Sequence, residues 1–564
     1  MRLFILSVFS IFFITACNAS DLKPGKGIIA TSNSHASKAA SEILKRGGNA
    51  IDAAIAVQLV LTLTEPQATG IGGGAFMLYW DARQSKLFSL DGRETAPSRA
   101  KDDLFLDKSG NKKPFYPDAV IGVNSVGVPG VIRLLEESHK KFGRLEWAKL
   151  FDYAITLSED GFAVSPALNR TLSYLSYLKT IEPAASLYYQ EGVGEKKEPL
   201  PVGHIFRNQE YAKTLRRIAS LGAIDFYEGE TADLIINALK EFDSKVLMTL
   251  SDLKNYEIIW REPLCQMYRS YNICSMPPPS SGGLTMLIML KILEDFDIKS
   301  LKPESKEMVH LFSEASRLAY ADRGYYMADP DFVKVPVDGL LSDEYIDQRR
   351  SLINQKELVK EVTHGRPKGA LDFEKNIDIS KPSTSHFVIV DNEGNAVSMT
   401  STVEGPFGSH LMAGGFILNN ELTDFSMIPE VNGKKIANRV EGNKRPMSSM
   451  TPTIIFKDSN LFALTGSPGG TSIINYVTKS VLGLIDWNLD PKDIVKLPHY
   501  MNKGKVTELE ENTILEDLQS DLEAMGHRVR VMPKRSGLHI ALKKPTGYVG
   551  GADPRREGLV LNVE

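Results

Sequence analysis

The sequence predicts an α+β protein in which β-sheets are sandwiched between layers of helices. Residues 130–260 carry many Leu, Lys and Glu residues at a spacing of three to four, which indicates a mostly helical region. The pattern changes after Ser383. Residues 384–390 are β-branched and aromatic, which favours a strand, and the turn residues 391–394 separate them from a second predicted strand at residues 395–403. Helices mixed with antiparallel strands are typical of such layered architectures.

The composition is that of a globular protein, and it excludes several classes of function. Of 564 residues, 42% are apolar and 24% are charged, which rules out a disordered chain and a protein with many membrane spans. The 66 basic and 70 acidic residues nearly cancel, so the chain has no positive field that would attract nucleic acid. The three cysteines cannot form a four-ligand zinc site, and the histidines show no metal-binding spacing. We therefore expect no metal, no cofactor and no nucleic-acid partner.

The N-terminus has the features of an export signal over residues 1–16. One positive charge is followed by an apolar run that is too short to span a bilayer as a helix. The Ile-Thr-Ala-Cys sequence that ends at Cys17 resembles a bacterial lipobox, in which the cysteine is acylated and becomes the mature N-terminus. The alternative is an ordinary cleaved signal in which Cys17 is incidental. If the lipobox is used, residues 17–26 form a lipid-anchored tether. Asn18, which directly follows the cysteine, resembles the pattern of lipoproteins that are delivered to the outer membrane. We therefore expect a periplasmic protein whose only contact with the membrane is this anchor.

Two helices and a glycine-rich turn are predicted next. Residues 35–45 have a helical pattern, and residues 50–63 are nearly all apolar, which indicates a buried helix. The glycines of residues 70–75 match the spacing of a dinucleotide-binding fingerprint, yet they follow a helix and precede a predicted strand at residues 76–80. That fingerprint must follow a strand and open a helix. We therefore interpret these glycines as a turn where backbone segments approach each other closely.

Local patterns also predict the remaining elements. Residues 277–283 form a Pro- and Gly-rich extended stretch, and residues 357–381 are charged, weakly patterned and loop-like. Further helices are expected at residues 284–296, 309–328, 473–487 and 513–525. Further strands are expected at residues 415–418, 453–456, 461–464, 538–542 and 548–551.

Two of the cysteines lie close together in the sequence. Cys265 and Cys274 are part of residues 263–276, which have the pattern of strand, turn and strand. They could therefore face each other across a hairpin, and an exported protein permits a disulfide. Two free, buried thiols are the alternative, and the sequence leaves both possibilities open.

A threonine at a loop-to-strand boundary suggests the chemistry. Thr384 heads a strand that follows the loop-like stretch. A threonine hydroxyl is a poor nucleophile unless a base lies beside it. The residue's own α-amine, with a pKa near ~7.7–8.0, can be that base, but only if the chain is cut between Ser383 and Thr384. Judged from the residues alone, a structural hydroxyl at the start of a strand is the more common explanation.

A series of short motifs runs in order along the chain. The earlier ones are Gly47–Ala54, Gly72–Gly74, Arg93–Pro97, Val128–Gly130, Met276–Gly283 and Tyr320–Arg323. The more specific ones are Thr384–His386, Leu418–Asn420, Asp424–Ser426, Lys444–Met450 and Thr465–Gly470. Together they resemble the γ-glutamyltranspeptidase family of N-terminal-nucleophile hydrolases over essentially the whole mature chain. So many ordered matches do not arise by chance.

The resemblance implies an αββα sandwich built from a precursor that cuts itself. Thr384 would attack the Ser383 carbonyl, which would leave a heavy chain of residues 27–383 behind the tether and a light chain of residues 384–564. The two chains would stay associated as a heterodimer. The resemblance also implies that glutathione and other γ-glutamyl compounds are donors. Their acyl group would form an ester with Thr384, whose amine acts as general base, and would pass to water, amino acids or short peptides.

The resemblance also implies a role for each residue of the site. Thr402 would hydrogen-bond the nucleophile, and the backbone N–H groups of Gly469 and Gly470 would stabilise the oxyanion. Arg93 would clamp the α-carboxylate of the glutamyl group, because a planar guanidinium suits a carboxylate. The other implied contacts are the hydroxyls of Ser448 and Ser449, and an acidic pair that holds the α-ammonium, Glu421 and Asp424.

A histidine close to the threonine invites a different mechanism. His386 stands two residues after Thr384, and alternate residues of a strand share a face. A threonine–histidine pair would follow from that arrangement. Because the family uses the α-amine of the threonine as its base, we interpret His386 as a packed strand histidine.

Two departures from the family pattern bear on substrate choice. Glu404 stands where many relatives carry Asn, and residues 425–447 form a short stretch without the aromatic lid of some bacterial relatives. Glu404, Glu421 and Asp424 around one ammonium would repel each other, so either one is protonated in the empty site or Glu404 points away. The nearest alternative to a γ-glutamyltransferase is a glutaryl or cephalosporin acylase on the same scaffold. The more distant alternative is a lipid-anchored binding protein that never cuts itself.

The lipid anchor can be tested directly. Cys17→Ser removes the only thiol that the lipobox offers for acylation, so we expect the enzyme to leave the membrane fraction for the soluble or unprocessed pool. Mass spectrometry of the mature N-terminus measures the modification itself. An unmodified N-terminus beyond Cys17 in the unaltered protein would refute the anchor.

Overall fold

The computed structural model describes residues 25–192, 194, 196–376 and 383–564. The predicted signal at residues 1–16, the acylation site Cys17 and all but the last two residues of the predicted tether lie outside this range. Within the described residues, no helix combines the length and the apolar character needed to cross a membrane.

Two antiparallel sheets form the centre of the protein. Their strands, in chain order, are β1 (Gly27–Thr31), β2 (Gly74–Asp81), β3 (Lys86–Gly92), β4 (Ile259–Arg261), β5 (Leu264–Tyr268), β6 (Tyr271–Ser275), β7 (Ser385–Val390), β8 (Ala396–Thr402), β9 (Thr453–Lys457), β10 (Asn460–Gly466), β11 (His539–Lys544), β12 (Gly547–Ala552) and β13 (Leu559–Val563). The first sheet has the order β13-β1-β7-β8-β2-β3-β4, and the second has the order β12-β11-β10-β9-β6-β5.

Helices cover both sheets. They are α1 (Ser34–Lys45), α2 (Ala50–Thr64), α3 (Val131–Phe142), α4 (Asp152–Asp160), α5 (Pro166–Tyr174), α6 (Ala184–Tyr188), α7 (Gln209–Leu221), α8 (Ala223–Glu228), α9 (Glu230–Phe242), α10 (Leu250–Lys254), α11 (Gly282–Leu293), α12 (Lys306–Tyr326), α13 (Val337–Leu341), α14 (Asp343–Arg350), α15 (Ile473–Ile485), α16 (Pro491–Ile494) and α17 (Gln519–Ala524). Short strand pairs lie outside the main sheets, at Phe162–Ala163 with Ile205–Phe206, Tyr189–Glu191 with Lys197–Pro199, Met412–Ala413 with Phe416–Ile417, and Glu430–Val431 with Lys434–Lys435. A small three-stranded sheet joins Tyr500–Asn502, Thr507–Glu510 and Val529–Met532.

The alternation of side chains along the strands produces the layers. Phe387 and Ile389 of β7 pack in one apolar cluster with α1 and α2, while Val388 and Val390 pack with the second sheet, α11 and α15. Successive side chains of a strand point to opposite faces, so a strand that is apolar on both faces is buried between two layers. The result is the predicted αββα sandwich, with helices outside and the two sheets facing each other.

Most of the predicted elements are confirmed. The predicted helices at residues 35–45 and 50–63 are α1 and α2, and every residue of α2 is buried. The glycine turn is a close approach of backbones, as predicted. A Cβ atom on Gly72 would lie 2.1 Å from the carbonyl oxygen of Ile417, and one on Gly73 would lie 2.0 Å from that of Thr402. Only glycine leaves enough space at these two positions.

The structure also decides between the two possibilities for the cysteines. Cys265 in β5 pairs directly with Cys274 in β6, and their sulfurs are joined in a disulfide. The predicted strand, turn and strand of residues 263–276 are therefore correct, and the bond ties together the two strands at the edge of the second sheet.

Three predictions from local pattern are wrong or incomplete. Residues 513–525 are not one helix, because a 3₁₀ turn at Ile514–Leu518 precedes α17. The predicted strand at residues 415–418 is only the pair Phe416–Ile417. Four strands of the first sheet, β1, β3, β4 and β13, are not among the predicted strands. β1 and β13 have only five residues each and no alternation of apolar and polar positions.

Candidate active site

The strand register brings Thr384 and Thr402 together. β7 and β8 are antiparallel and pair Ser385 with Ser401, so the residue before β7, Thr384, stands opposite Thr402, the last residue of β8. Thr402 also pairs with Gly74 at the start of β2. The ends of three neighbouring central strands therefore meet on one side of the first sheet. The two threonine hydroxyls lie 3.3 Å apart there.

Both hydroxyls are directed at the peptide bond that precedes Thr384. The Thr384 hydroxyl donates to the Ser383 carbonyl oxygen at 2.5 Å, and the Thr402 hydroxyl donates to the same oxygen at 2.8 Å. The Thr402 oxygen also accepts a hydrogen bond from the backbone N–H of Glu404 at 2.9 Å, which orients its proton toward Ser383. Hydrogen bonds to a carbonyl oxygen stabilise the negative charge that develops when its carbon is attacked. The arrangement can therefore activate the Ser383–Thr384 bond toward the neighbouring hydroxyl.

Most of the predicted site residues line one cavity, which lies where these strand ends meet. Its lining includes Thr384, Thr402, Glu404, Arg93, Glu421, Asp424, Ser448, Ser449 and Gly470. Of the residues implied by the resemblance, Gly469 and the cleavage residue Ser383 are not part of the lining, although each directly precedes a residue that is. Residues scattered over more than 370 positions of the sequence are thus brought to one place.

The predicted oxyanion turn follows β10. Gly469 and Gly470 have φ angles of 139° and 56°, and both values lie in the left-handed region that favours glycine. A Cβ atom on Gly469 would lie 2.7 Å from the ring of Tyr476. The Tyr320 hydroxyl of α12 donates a hydrogen bond to the carbonyl oxygen of Thr471, which holds the turn from the helical side.

Arg93 is fully buried and has many partners. Its guanidinium is hydrogen-bonded to Glu421 and, at 2.5 Å, to Asp424. It also donates to the carbonyl oxygens of Met447 at 2.8 Å and Pro446 at 3.2 Å. The residues that the resemblance assigns to the carboxylate and to the ammonium of a substrate are therefore paired with each other in this structure. Buried charges need such pairing, because an unpaired one is strongly destabilising.

The acidic side of the cavity holds more carboxyl groups than Arg93 can balance. Burial raises the pKa of Glu404 well above its usual range, and the neighbouring Asp424 and Glu421 raise it further. Burial also raises the pKa of Glu421, to about 7, although Arg93 opposes the rise. Glu404 lines the cavity and accepts a hydrogen bond from Asn420 at 2.6 Å. Glu404 therefore faces the cavity, and burial together with the two neighbouring carboxyl groups favours its protonated form.

Sequence reasoning assigns no role to Arg323, which the structure brings into the site. It lies on α12, lines the cavity and donates to the hydroxyl oxygens of Ser449 at 2.9 Å and Ser281 at 2.8 Å. The signal is present in the sequence, because Arg323 ends one matching motif and Ser281 lies within another. What is missing from the sequence is their contact, since 42 residues separate them.

His386 is not part of the site. It is buried away from the cavity lining, and its Nδ1 atom is hydrogen-bonded to the Thr400 hydroxyl at 2.8 Å. Burial lowers the pKa of His386 well below its ordinary value, with a further contribution from His539. The interpretation as a packed strand histidine is confirmed.

Phe425 contributes an aromatic side chain to the cavity lining, whereas the residues from Ser426 to Pro446 include no aromatic residue.

The fold and the position of Thr384 define the class of protein. An αββα sandwich is the architecture of the N-terminal-nucleophile hydrolases, in which the nucleophile begins an inner strand as Thr384 does here, and the solved structure of a cephalosporin acylase from Bacillus halodurans has the same fold. That structure matches with a TM-score of 0.85 and 29% sequence identity, and covers 99% of this chain and 100% of its own.

The sequence comparisons identify the family. The family model described as gamma-glutamyltranspeptidase matches residues 36–563. The glutathione hydrolase proenzyme of Bacillus subtilis is 38% identical over 549 residues, which are 95% of this chain and 91% of that protein. The glutathione hydrolase proenzyme of Escherichia coli is 36% identical over 94% of this chain and 90% of its own length. The chain belongs to the γ-glutamyltranspeptidase family.

The geometry around Ser383 predicts how the chain is cut. Thr384→Ala removes the attacking hydroxyl, so we expect one uncut band on a denaturing gel and no activity, whereas Thr384→Ser should be cut slowly. Thr478→Ala is a matched control, since this threonine is also buried but lies on α15, donates to the Ile474 carbonyl oxygen at 2.7 Å and does not line the cavity. It should still give two bands. Normal two-chain product from Thr384→Ala would disprove the assignment.

Proposed function

We propose that the chain is the precursor of a γ-glutamyltransferase and glutathione hydrolase that cuts itself between Ser383 and Thr384. The observation that carries the proposal is the pair of threonine hydroxyls on the Ser383 carbonyl, in a cavity lined by two buried arginines, Arg93 and Arg323, and several carboxyl groups. The curated relatives named glutathione hydrolase proenzyme support the same substrate class and a precursor.

Self-cleavage uses the bond that the two threonines contact. The Thr384 oxygen attacks the Ser383 carbonyl carbon, the C–O bond forms and the C–N bond breaks, and the released amine takes up the hydroxyl proton. The Thr402 hydroxyl stabilises the oxyanion on the Ser383 oxygen. Water then hydrolyses the ester, which leaves a carboxylate on Ser383 and restores the hydroxyl of Thr384, now beside a free α-amine.

The two products are heavy and light chains that remain one body. The heavy chain ends at residue 383 and the light chain begins at residue 384. In the first sheet, the heavy-chain strand β1 lies between the light-chain strands β13 and β7. The hydrogen bonds along both edges of β1 are independent of the peptide bond that is cut, so they support a stable heterodimer.

In turnover, the freed amine acts as general base for its own hydroxyl. The Thr384 oxygen attacks the γ-carbonyl of the donor, the leaving amine takes the proton, and a γ-glutamyl ester remains on the enzyme. Water or the amine of an amino acid or short peptide then attacks this ester. The backbone N–H groups of Gly469 and Gly470 stabilise the tetrahedral oxyanion.

The glutamyl end is recognised by the charged side of the cavity. Arg93 takes the α-carboxylate together with the hydroxyls of Ser448 and Ser449. Glu421 and Asp424, released from Arg93, take the α-ammonium. Both ends of a zwitterion are thus bound by groups that pair with each other in its absence.

A glutaryl or cephalosporin acylase is the second candidate, and the likeness to the Bacillus halodurans cephalosporin acylase favours it. The acidic groups of the cavity oppose it. A glutaryl group has no ammonium, so Glu404, Glu421 and Asp424 would face it without a cationic partner, and leaving buried polar groups unpaired is costly.

We also propose that the enzyme is exported and anchored by a lipid on Cys17, at the periplasmic face of the outer membrane. The support is the short apolar run followed by the lipobox-like sequence at residues 14–17. The Cys265–Cys274 disulfide is consistent with an oxidising compartment.

Arg93→Lys tests the clamp. Lysine keeps the charge but cannot form two parallel bonds, so KM for a γ-glutamyl anilide should rise by about 10- to 100-fold, because hydrogen bonds to charged groups contribute about 1.5–3 kcal/mol. Self-cleavage should proceed normally. Arg261→Lys is the matched control, because Arg261 forms a buried ion pair with Asp91 at 2.7 Å and does not line the cavity. Failure of self-cleavage in Arg93→Lys would instead make Arg93 a structural residue.

Glu404→Gln tests substrate choice. The unaltered enzyme should prefer γ-glutamyl anilide to glutaryl anilide strongly, because a site built around a polar group rejects analogues that lack it by up to roughly 10⁴-fold. Removing one carboxyl group should keep γ-glutamyl activity and relax the rejection of the glutaryl compound, measured as kcat/KM. Equal or better turnover of the glutaryl compound by the unaltered enzyme would overturn the proposal in favour of the acylase.

A further inference from the structure

The turn of residues 65–69, which directly follows α2, contacts both neighbours of Thr384. The Ser383 hydroxyl donates a hydrogen bond to the backbone carbonyl of Gln67, and the Ser385 hydroxyl donates to Glu65 Oε2. Both serines are buried, and neither lines the cavity.

The same turn contacts both neighbours of Thr402. The hydroxyls of Thr69 and Ser401 are hydrogen-bonded at 2.7 Å, and the backbone N–H of Val403 donates to the carbonyl oxygen of Ala68 at 3.3 Å. Successive residues of a strand point to opposite faces. The two threonines therefore face the cavity while the residues on either side of each are held by the turn.

Glu65 is the only ionisable residue of this turn, and it connects two strands. Its Oε2 atom accepts a hydrogen bond from Ser32 at 2.7 Å in addition to the one from Ser385. Ser32 directly follows β1, and Ser385 begins β7, so one carboxyl oxygen ties the ends of two paired strands. Burial raises the pKa of Glu65, and Arg556 and the two serine hydroxyls oppose the rise.

We propose that Glu65 is a positioning residue for Thr384. By holding Ser385, its carboxyl group fixes the strand end that carries the nucleophile, both for self-cleavage and for turnover. This role rests on the proposed function, since it requires that Thr384 is the nucleophile. A displacement of about 1 Å at a reacting atom can cost on the order of 100-fold in rate, so a hydrogen bond one residue away has a measurable effect.

The proposal separates the effect on rate from the effect on binding. Glu65→Ala should slow self-cleavage and lower kcat for a γ-glutamyl anilide by roughly 10- to 100-fold. KM should not change, because the groups proposed to bind the glutamyl end lie on the cavity side of the strands. Glu65→Gln keeps an acceptor oxygen for both serines, so it should restore most of both rates.

Ser32→Ala is the matched control. It deletes a hydroxyl bonded to the same carboxyl oxygen as Ser385, but one that follows β1 and is not on the strand next to the nucleophile. Both Ser32→Ala and Ser385→Ala should lower the melting temperature by a similar amount, while only Ser385→Ala should slow the two reactions. Ser385→Ala also replaces Glu65→Ala as the test if the latter does not fold.

The outcomes distinguish this inference from the proposed function. If the unaltered chain is not cut and does not turn over γ-glutamyl anilide, the proposed function fails. If the unaltered chain does both, but Glu65→Ala and Ser385→Ala behave like Ser32→Ala, Glu65 is only structural. A rise in KM with unchanged kcat, or a Glu65→Gln variant as slow as Glu65→Ala, would also overturn the inference. The double variant Glu65→Ala with Ser385→Ala should be no slower than either single one, because both remove the same contact.

Discussion

The antiparallel pairing of β7 with β8 is the constraint on which the site depends. A slip of one residue in this register would turn every side chain of one strand to the opposite face, and Thr402 would leave the Ser383 carbonyl. Several contacts oppose such a slip. Both faces of β7 are buried, and the hydrogen bond between His386 and Thr400 lies two residue pairs inside Thr384 and Thr402. The histidine that sequence alone could place in catalysis thus stabilises the register that catalysis requires.

The same sandwich explains how a cut chain can remain one protein. The Ser383–Thr384 bond lies just before the first residue of β7 and outside both sheets. Breaking it therefore removes no strand from either sheet. The strands of the two parts alternate around this point, since β1 lies between β13 and β7, and β2 pairs with β8. Separation would expose apolar side chains on both faces of these strands, at a cost of about 25 cal/mol per Å².

Local pattern predicts the elements, whereas their contacts come from the fold. The apolar run of α2, the glycines before β2 and the strand at Thr384 are evident from residue types alone. Which residues line the cavity is not, because Arg93, Thr384 and Ser448 lie in separate parts of the chain and only the family resemblance connects them. Neither source assigns a role to Glu65 or Arg323, because their contacts are not visible in the sequence: Glu65 meets Ser385, 320 residues away. The short strands β1 and β13 are missed for a related reason: their pairing with neighbouring strands, β1 with β7 and β13 with β1, makes them strands, and their own sequence does not show it.

The charges of the cavity explain how a buried site can stay stable when it is empty. Arg93 is fully buried, so without a substrate it needs carboxylate partners, and Glu421 and Asp424 supply them. Too many ionised carboxyl groups would in turn repel each other, and burial raises the pKa values of Glu404 and Glu421, which keeps part of this charge neutral. A zwitterionic ligand can replace both sides of the internal pairs at once, because its carboxylate suits Arg93 and its ammonium suits the acids. Under the proposed function, a ligand with only one of these charges would satisfy one side and leave the other without a partner, so the ion pairs of Arg93 would select for an amino-acid end.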